Sequence, residues 1–302
     1  MESIILSIIG IYIFIVMGYI AKKTFKEKID DKTITLINVY FLQIFLTFWG
    51  LLSREVDSSI LIAPVIYFFI VVFMLFLVYF IAKRVFLDKK DYSIAMVSAL
   101  IGNTGNLGIP LGIAIFGEVS IPYTTAINLV NVFIVFTIGV YFYSRGSFSV
   151  KDSLLNIIKL PILWAALIAV MLTVFSYKPN KEIMELLKMG AYSSMVMQLF
   201  LFGIYLYDAK IKEISKRLII WVMGIKFFIL PAVTFFILSL MNLESTLKGI
   251  IFIELMMPLA IANVNFASLY ECKPKVVTAL VFISSIFFLG LIFIAVKILE
   301  YL

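Results

Sequence analysis

The stretch IGNTGNLGIP, residues 101–110, determines how the rest of the sequence is interpreted. It lies inside an apolar segment that runs from residue 91 to residue 117, yet it contains three glycines, two asparagines, a threonine and a proline. Such a composition predicts that a helix is interrupted there. In a lipid bilayer, non-helical backbone is tolerated only where it is buried in protein or lines a cavity. If the segment spans a membrane, the interruption therefore indicates a functional site.

The composition is typical of a chain that lies largely within a membrane. Its 302 residues are 63% hydrophobic and only 14% charged, whereas soluble domains have about 45–50% and about 25%. The sequence has no histidine, and Cys272 is its single cysteine, which excludes histidine proton relays, Ser-His catalysis and an intramolecular disulfide. The net charge of +7 lies in short loops and is not a nucleic-acid-binding pattern. We expect a polytopic membrane protein that is not an enzyme and has no cofactor.

Membrane-spanning helices are predicted from runs of roughly 20 mostly apolar residues. Such segments lie at residues 3–21, 33–52, 60–82, 91–117, 119–143, 156–176, 183–207, 217–240, 246–270 and 276–299. The first is interpreted as a helix and not as a cleaved signal peptide, because it lacks a basic start and a small-residue cleavage site. The predicted fold class is therefore an all-α membrane protein with ten transmembrane helices.

The loop charges and the number of spans predict the topology. Seventeen lysines and arginines follow the odd-numbered spans, and five lie on the opposite side. Since positive loops are cytoplasmic, both termini are expected outside the cytoplasm of a plasma-membrane protein. The central break divides the chain into five-helix halves, residues 1–145 and 153–302. Because five is odd, a repeated second half would enter the membrane inverted, as in many secondary transporters.

The ninth span supports this repeat, because it is interrupted like the fourth. It reads FIELMMPLAIANVNFASLY, residues 252–270, with Pro258 near its middle, followed by Asn263 and Asn265. Paired interruptions at corresponding positions of the two halves indicate a transporter binding site. Half-helix N-termini would favour an anion there, and freed backbone carbonyls would favour a cation. The glycines of the fourth span also fit a simpler interpretation, in which they only allow close helix packing.

The run from Gly102 to Leu111, and Met257-Pro258 in the ninth span, resemble the motifs of a known family. This is the auxin efflux carrier family, the bacterial relatives of the plant PIN proteins. The resemblance covers the whole chain and implies the ten-helix inverted-repeat fold shared with bile acid symporters and sodium–proton antiporters. It also implies an elevator mechanism, a small organic anion as substrate (malate- or malonate-like, or auxin-like) and a homodimer formed through the scaffold.

The same resemblance divides the chain into two moving parts. The scaffold would consist of residues 3–21, 33–52, 156–176 and 183–207, and the transport domain of residues 60–143 and 217–299. The sequence departs from the family where members often carry proline, with Gln43 in the second span and Ser193-Ser194 in the seventh. Both departures fall on the scaffold wall that would face the substrate, so the substrates of other family members do not identify the substrate of this protein.

Polar residues within the spans are the candidate ligands. The predicted substrate-binding residues are Gln43, Asn103, Thr104, Asn106, Pro110, Asn131, Pro258 and Asn263. Asn131 shares a helix face with Asn128, three residues away, and Gln198 is equivalent to Gln43 in the other half. Hydrogen bonding between helices is the competing interpretation for Asn131 and for both glutamines.

Two ionisable residues, Lys226 and Glu254, lie deep within the eighth and ninth spans. Intramembrane charges mark functional sites by default. They would attract the substrate, bind a coupling proton or sodium near Glu254, or simply pair with each other. The sequence thus predicts a secondary carrier of a small carboxylate, with its driving force left open. The alternatives are a sodium- or proton-coupled carrier of another small solute, and a channel.

Overall fold

The structure is a computed structural model that describes residues 2–52, 58–144, 161–175, 177–207 and 215–302. Within these residues the chain is helical, apart from short connections and one isolated antiparallel bridge between Gly102 and Leu259. In chain order the helices are α1 (Glu2–Phe25), α2 (Asp31–Ile37), α3 (Gln43–Leu52), α4 (Ser58–Val85), α5 (Lys89–Val97), α6 (Ile109–Phe116), α7 (Ile121–Ile134), α8 (Val140–Tyr143), α9 (Pro161–Val174), α10 (Lys181–Tyr207), α11 (Lys216–Gly224), α12 (Leu230–Ser239), α13 (Ser245–Met256), α14 (Ala262–Leu269) and α15 (Pro274–Ile298). The predicted all-helical class is confirmed.

Wide π-helical turns interrupt several of these helices. They lie at Asn38–Leu42, Thr104–Gly108, Val135–Gly139 and Ile225–Ile229. The first, third and fourth join α2 to α3, α7 to α8 and α11 to α12, and the second leads into α6. Each turn shifts the backbone bonding pattern by one residue, and such turns are frequent at functional sites.

The long helices are suited to a bilayer. Among the described residues, six helices are long and apolar enough to cross a membrane, and two shorter apolar helices, Thr104–Phe116 and Pro161–Val174, accompany them. The outer face of α4 carries a stripe of exposed phenylalanines: Phe69, Phe73, Phe76 and Phe80. Their spacing of three and four residues places them on one side of the helix. Such a face is unfavourable in water and favourable against lipid tails.

Each predicted span contains helix where the structure describes it, with shifted ends and with non-helical breaks inside the fourth and ninth spans. The third span, for example, extends to Ser58–Val85. Residues 156–160 and 176 of the sixth predicted span lie outside the described residues, as does nearly all of the central break. The same holds for five of the loop charges that predict the orientation: Arg54, Arg145, Lys151, Lys210 and Lys212.

The two broken spans are joined at one end of the molecule by Lys273, in the connection between α14 and α15. Its ammonium lies 2.9 Å from a carboxylate oxygen of Asp88 and 2.7 Å from one of Asp91. Asp88 also caps α5, because its carboxylate accepts a hydrogen bond from the Asp91 N–H at 2.9 Å. The hydrogen bond from Lys273 lowers the pKa of the Asp88 carboxyl. These contacts keep the starts of α5 and α15 together.

Helices α1 and α10 pack closely because glycines face backbone. A Cβ added to Gly18 would collide with the carbonyl oxygen of Phe200, and one added to Gly203 with that of Ile15. Small residues at such crossings let helix backbones approach, which is a main source of helix association in lipid. The two helices therefore form one rigid unit.

We expect Gly203→Ala to destabilise the protein by about 1–3 kcal/mol, the usual cost of overpacking, because the new methyl group would meet the Ile15 carbonyl. Gly290→Ala is the matched control, since Gly290 lies within α15 and nothing lies within 4 Å of its added Cβ. Melting temperatures of the two variants in the same detergent measure the difference. Equal melting temperatures would contradict the close α1–α10 contact.

Candidate functional site at the helix crossover

The two interrupted spans meet, and their unwound segments pair with each other. One segment follows α5 and ends at Asn103; the other follows α13 and ends before α14. The Asn103 N–H donates to the Pro258 carbonyl at 2.8 Å, and the Ala260 N–H donates to the Ile101 carbonyl at 2.9 Å. The paired segments form a crossover in which each break satisfies backbone groups of the other.

Two buried asparagines complete this pairing. The Asn131 amide, on α7, donates to the Gly102 carbonyl at 2.8 Å and accepts from the Tyr67 hydroxyl at 3.2 Å. The Asn263 amide, on α14, donates to the carbonyls of Ile101 at 3.1 Å and Ala260 at 3.0 Å. Because unpaired backbone groups are costly in apolar surroundings, these amides allow the helices to remain broken.

Hydroxyl groups hold the crossover from two further helices. The Tyr143 hydroxyl, on α8, donates to the Asn263 side chain at 2.9 Å and lies 3.0 Å from the Ser98 hydroxyl. The Ser284 hydroxyl, on α15, accepts from the Leu259 N–H at 3.1 Å. The crossover is therefore fixed by both neighbouring helices as well as by its own backbone.

A cavity of about 270 Å³ lies against the crossover. Its polar lining consists of Thr35, Asn38, Gln43, Asn103, Thr104, Asn106, Asn128, Asn131, Gln198, Tyr205 and Asn265. Phe136 and Phe266 add an aromatic wall, with ring centroids 5.1 Å apart in an edge-to-face arrangement. None of the described lining residues is charged at neutral pH. The cavity therefore offers many neutral donors and acceptors.

The first turn of the helix after the break is shaped by Asn128. The Thr104 hydroxyl donates to the Asn128 side-chain oxygen at 3.0 Å. The same oxygen would lie only 2.6 Å from a Cβ at Gly105. A side chain at position 105 would therefore displace the Asn128 amide from its present position.

The structure separates the predicted site residues into two groups. Gln43, Asn103, Thr104, Asn106 and Asn131 line the cavity. The others lie outside its lining: Pro110, Pro258, Asn263, Lys226 and Glu254. Pro258 and Asn263 hold the crossover backbone. Pro110 sits in the first turn of α6, where its missing N–H is tolerated. The break before α6 instead spans residues 98–103, which contain no proline.

Lys226 and Glu254 lie behind the crossover, and both are buried. A Cβ on Gly102 would come within 3.1 Å of the Lys226 ammonium, and one on Gly108 would collide with the Glu254 carboxylate. Among the described residues, neither carboxylate oxygen of Glu254 has a hydrogen-bond partner.

Three polar lining residues were not found from the sequence: Thr35, Asn38 and Tyr205. The Gln198 amide donates to the Ser194 hydroxyl at 2.8 Å, which donates to the Asn38 side-chain oxygen at 2.9 Å. Thr35 and Tyr205 share a hydrogen bond of 3.0 Å. The sequence signal that could have identified these residues is a polar residue inside an apolar span, and Asn38 is the clearest case.

The wide π turns converge on this site. Asn38, Thr104 and Val135 each belong to a different π turn and line the cavity. The fourth turn carries Lys226 behind the crossover. Each turn rotates the following residues relative to a regular helix, which helps to aim polar groups at one place.

An apolar group of side chains, which we term the closing cluster, packs beside α6 and the start of α7. It consists of Leu46, Trp49, Ile109, Ile121, Ala191 and Met195. An ion pair of 3.0 Å between Glu118 and Lys188 lies next to it. The Lys188 ammonium is 6.0 Å from the Trp49 ring centroid. The cavity lies near a different ion pair. Its lining includes Thr35, which lies about one helical turn after Asp31, and the Asp31 carboxylate is 3.7 Å from the Lys22 ammonium.

Comparison with known proteins agrees with this architecture. A family model described as "Membrane transport protein" matches residues 3–295. The chain belongs to this family, the auxin efflux carrier family. It is also similar to an uncharacterized transporter of Methanocaldococcus jannaschii, with 29% identity over 295 residues, which cover 92% of each chain. The resemblance predicted from the motifs is confirmed. The protein is a multi-pass membrane transporter, and its family is not an enzyme family.

We expect Tyr143→Phe to destabilise this transporter by about 1–3 kcal/mol, the cost of leaving a buried polar partner unpaired, because the Asn263 and Ser98 side chains lose their hydroxyl partner. Tyr141→Phe is the matched control, since Tyr141 lies two residues earlier and its side chain is exposed. Thermal unfolding of both variants measures the effect. A Tyr143→Phe variant as stable as Tyr141→Phe would show that this hydroxyl does not support the crossover.

Proposed function

We propose that this transporter is a secondary carrier that moves a small carboxylate across the plasma membrane, and that the carboxylate binds in the cavity at the crossover. The observation that carries the proposal is Asn103. It is 4% exposed and lines the cavity, and its side-chain nitrogen has no hydrogen-bond partner among the described residues. An unpaired buried donor costs about 1–3 kcal/mol, and an anionic ligand would remove that cost.

Helix ends support an anion at this place. The helical segment that starts at Thr104 and the helix α14 that starts at Ala262 both begin at the cavity. A helix N-terminus carries about half a positive charge and free N–H groups. Two of them together would balance one carboxylate without a buried lysine or arginine. Thr104 and Asn106 would contribute further hydrogen bonds.

The proposed architecture is the inverted repeat of residues 1–145 and 153–302, with ten spans and both termini outside the cytoplasm. The paired interruptions support it, because they occupy corresponding positions in the two halves. In this arrangement, residues 3–21, 33–52, 156–176 and 183–207 form the scaffold, through which two copies associate as a homodimer. The transport domain consists of residues 60–143 and 217–299.

An elevator-type movement is proposed because the cavity lies between these two parts. Gln43, Gln198 and Tyr205 would line it from the scaffold, and Asn103 and Asn131 from the transport domain. With the proposed orientation, the cavity lies toward the cytoplasm and the closing cluster lies on the outer side. The described conformation would then be the inward-facing one.

The proposal allows two driving forces for transport. Lys226 lies behind the crossover with Glu254 and would supply its countercharge, which favours an anion carrier driven by the membrane potential alone. Coupling to sodium or to a proton at Glu254 is the alternative, and it is favoured by the two carboxylate oxygens that lack hydrogen-bond partners among the described residues. Carboxylates provide the oxygen ligands that hard cations prefer.

Thermal stability in the presence of carboxylates tests the proposed function. We expect at least one small carboxylate to raise the melting temperature of the purified protein, since a ligand at 100 times its Kd adds about 2.7 kcal/mol. Asn103→Ala should lose the shift, whereas Asn242→Ala, in an exposed loop, should keep it. A sodium requirement would favour coupling at Glu254. Absence of a shift with every acid, in folded protein, would contradict the carboxylate proposal.

A cross-link across the closing cluster tests the elevator movement. In a Cys272→Ala background, we expect a short cleavable thiol cross-linker between Ile109→Cys and Met195→Cys to stop uptake into proteoliposomes until it is cleaved. The pair would join the transport domain to the scaffold. Leu46→Cys with Met195→Cys is the matched control, because both residues lie in the same cluster and within the proposed scaffold. Full uptake with the first pair cross-linked would refute the movement.

A further inference from the structure

We infer that the crossover cavity is built for an acid with a single negative charge and a hydrogen-bond donor, such as a hydroxyl group, and that Gln198 accepts the hydrogen bond from that donor. The inference rests on the proposed function and narrows its substrate class. It makes Gln198 the specificity-determining residue on the wall opposite the crossover.

The free group of Gln198 is an acceptor. Gln198 is 2% exposed and lines the cavity, and its side-chain oxygen has no hydrogen-bond partner among the described residues. Its nitrogen is already used, because it donates to the Ser194 hydroxyl at 2.8 Å. Ser194 has one proton, which it donates to the Asn38 side-chain oxygen at 2.9 Å. This relay fixes the direction of the Gln198 amide and leaves its carbonyl oxygen available.

The unpaired groups of the lining are complementary. Asn103, at the crossover, has an unpaired donor, and Gln198, on α10, has an unpaired acceptor. A ligand that satisfies both must accept a hydrogen bond with one part and donate one with another. A carboxylate supplies the acceptor, and a hydroxyl group supplies the donor. A plain alkyl carboxylate would leave the Gln198 oxygen buried and unpaired.

The charge of the cavity limits the ligand to one carboxylate. The described lining residues carry no charged side chain, and Lys226 lies behind the crossover with Glu254, so the two helix N-termini are the positive elements of the lining itself. At about half a charge each, they would balance one negative charge, and a second would remain uncompensated. The volume of about 270 Å³ lies just below the range of about 300–1,000 Å³ that is usual for drug-sized ligands, so an acid of a few carbon atoms fits.

Pairs of acids that differ by a hydroxyl and a methyl group test the inference, because the two groups have similar size. The pairs are glycolate with propionate, lactate with isobutyrate, and 2-hydroxyisobutyrate with pivalate, and malonate is the dianion. Equilibrium binding to the purified protein at neutral pH is the measurement. We expect at least one hydroxy acid to bind about tenfold or more tightly than its methyl partner, since sites built to bond a hydroxyl reject analogues that lack it. Malonate should bind more weakly than that hydroxy acid.

We expect Gln198→Leu to weaken binding of the hydroxy acid, so that the ratio of the two affinities in a pair falls to about one. The methyl partner should keep its affinity, which would show that the cavity is intact. Met197→Leu is the matched control, since Met197 is adjacent but does not line this cavity, and it should keep the wild-type preference. Equal binding of every pair by the wild-type protein, a preference that survives in Gln198→Leu, or tighter binding of malonate would overturn the inference while leaving a carboxylate carrier intact. Failure of every acid to bind would overturn the proposed function as well.

Discussion

The pairing of two unwound backbone segments is the interaction on which the rest of this structure depends. In an apolar environment, each broken helix exposes N–H and carbonyl groups that would cost several kcal/mol if left unpaired. The Asn103 N–H bonds to the Pro258 carbonyl, and the Ala260 N–H bonds to the Ile101 carbonyl, so backbone groups of each break pair with those of the other. The Asn131 amide pairs with the Gly102 carbonyl, and the Asn263 amide bonds the Ile101 and Ala260 carbonyls. Neither break is therefore stable alone, and the surrounding helices are positioned by the groups that they supply.

The glycines of the fourth span show why this pairing needs a special sequence. Gly102 faces the Lys226 ammonium, Gly105 faces the Asn128 amide and Gly108 faces the Glu254 carboxylate. At each of these positions, the absence of a side chain makes room for a polar side-chain group. At Gly18 and Gly203, it makes room for the backbone of a neighbouring helix. The arrangement places both charges behind the crossover and leaves the described cavity lining neutral. Both ionisable side chains therefore lie outside the cavity that a ligand would occupy.

The sequence predicted the interruptions because glycine, proline and asparagine act locally on the backbone. It also identified Asn103, Thr104 and Asn106, since residues within a break line whatever the break encloses. It did not distinguish residues that line the cavity from residues that support the crossover: Pro258 and Asn263 hold backbone, a role that depends on a partner segment some 160 residues away in the chain. Thr35, Asn38 and Tyr205 were missed because the face that a helix turns toward the cavity is set by tertiary packing. The π turn at Asn38–Leu42 rotates that face further.

The closing cluster and the ion pair beside it combine contacts of different strength. The Glu118–Lys188 pair is substantially exposed, with 62% and 40% of the side chains accessible, and exposed pairs contribute only about 0–1 kcal/mol. The closing cluster is held by apolar contacts, which are non-directional and can be exchanged for contacts with other apolar surface. By contrast, the crossover would lose several buried hydrogen bonds if its segments separated. A movement that opens the closing cluster and keeps the crossover intact therefore costs least, and it would carry the lining residues of both breaks as one unit.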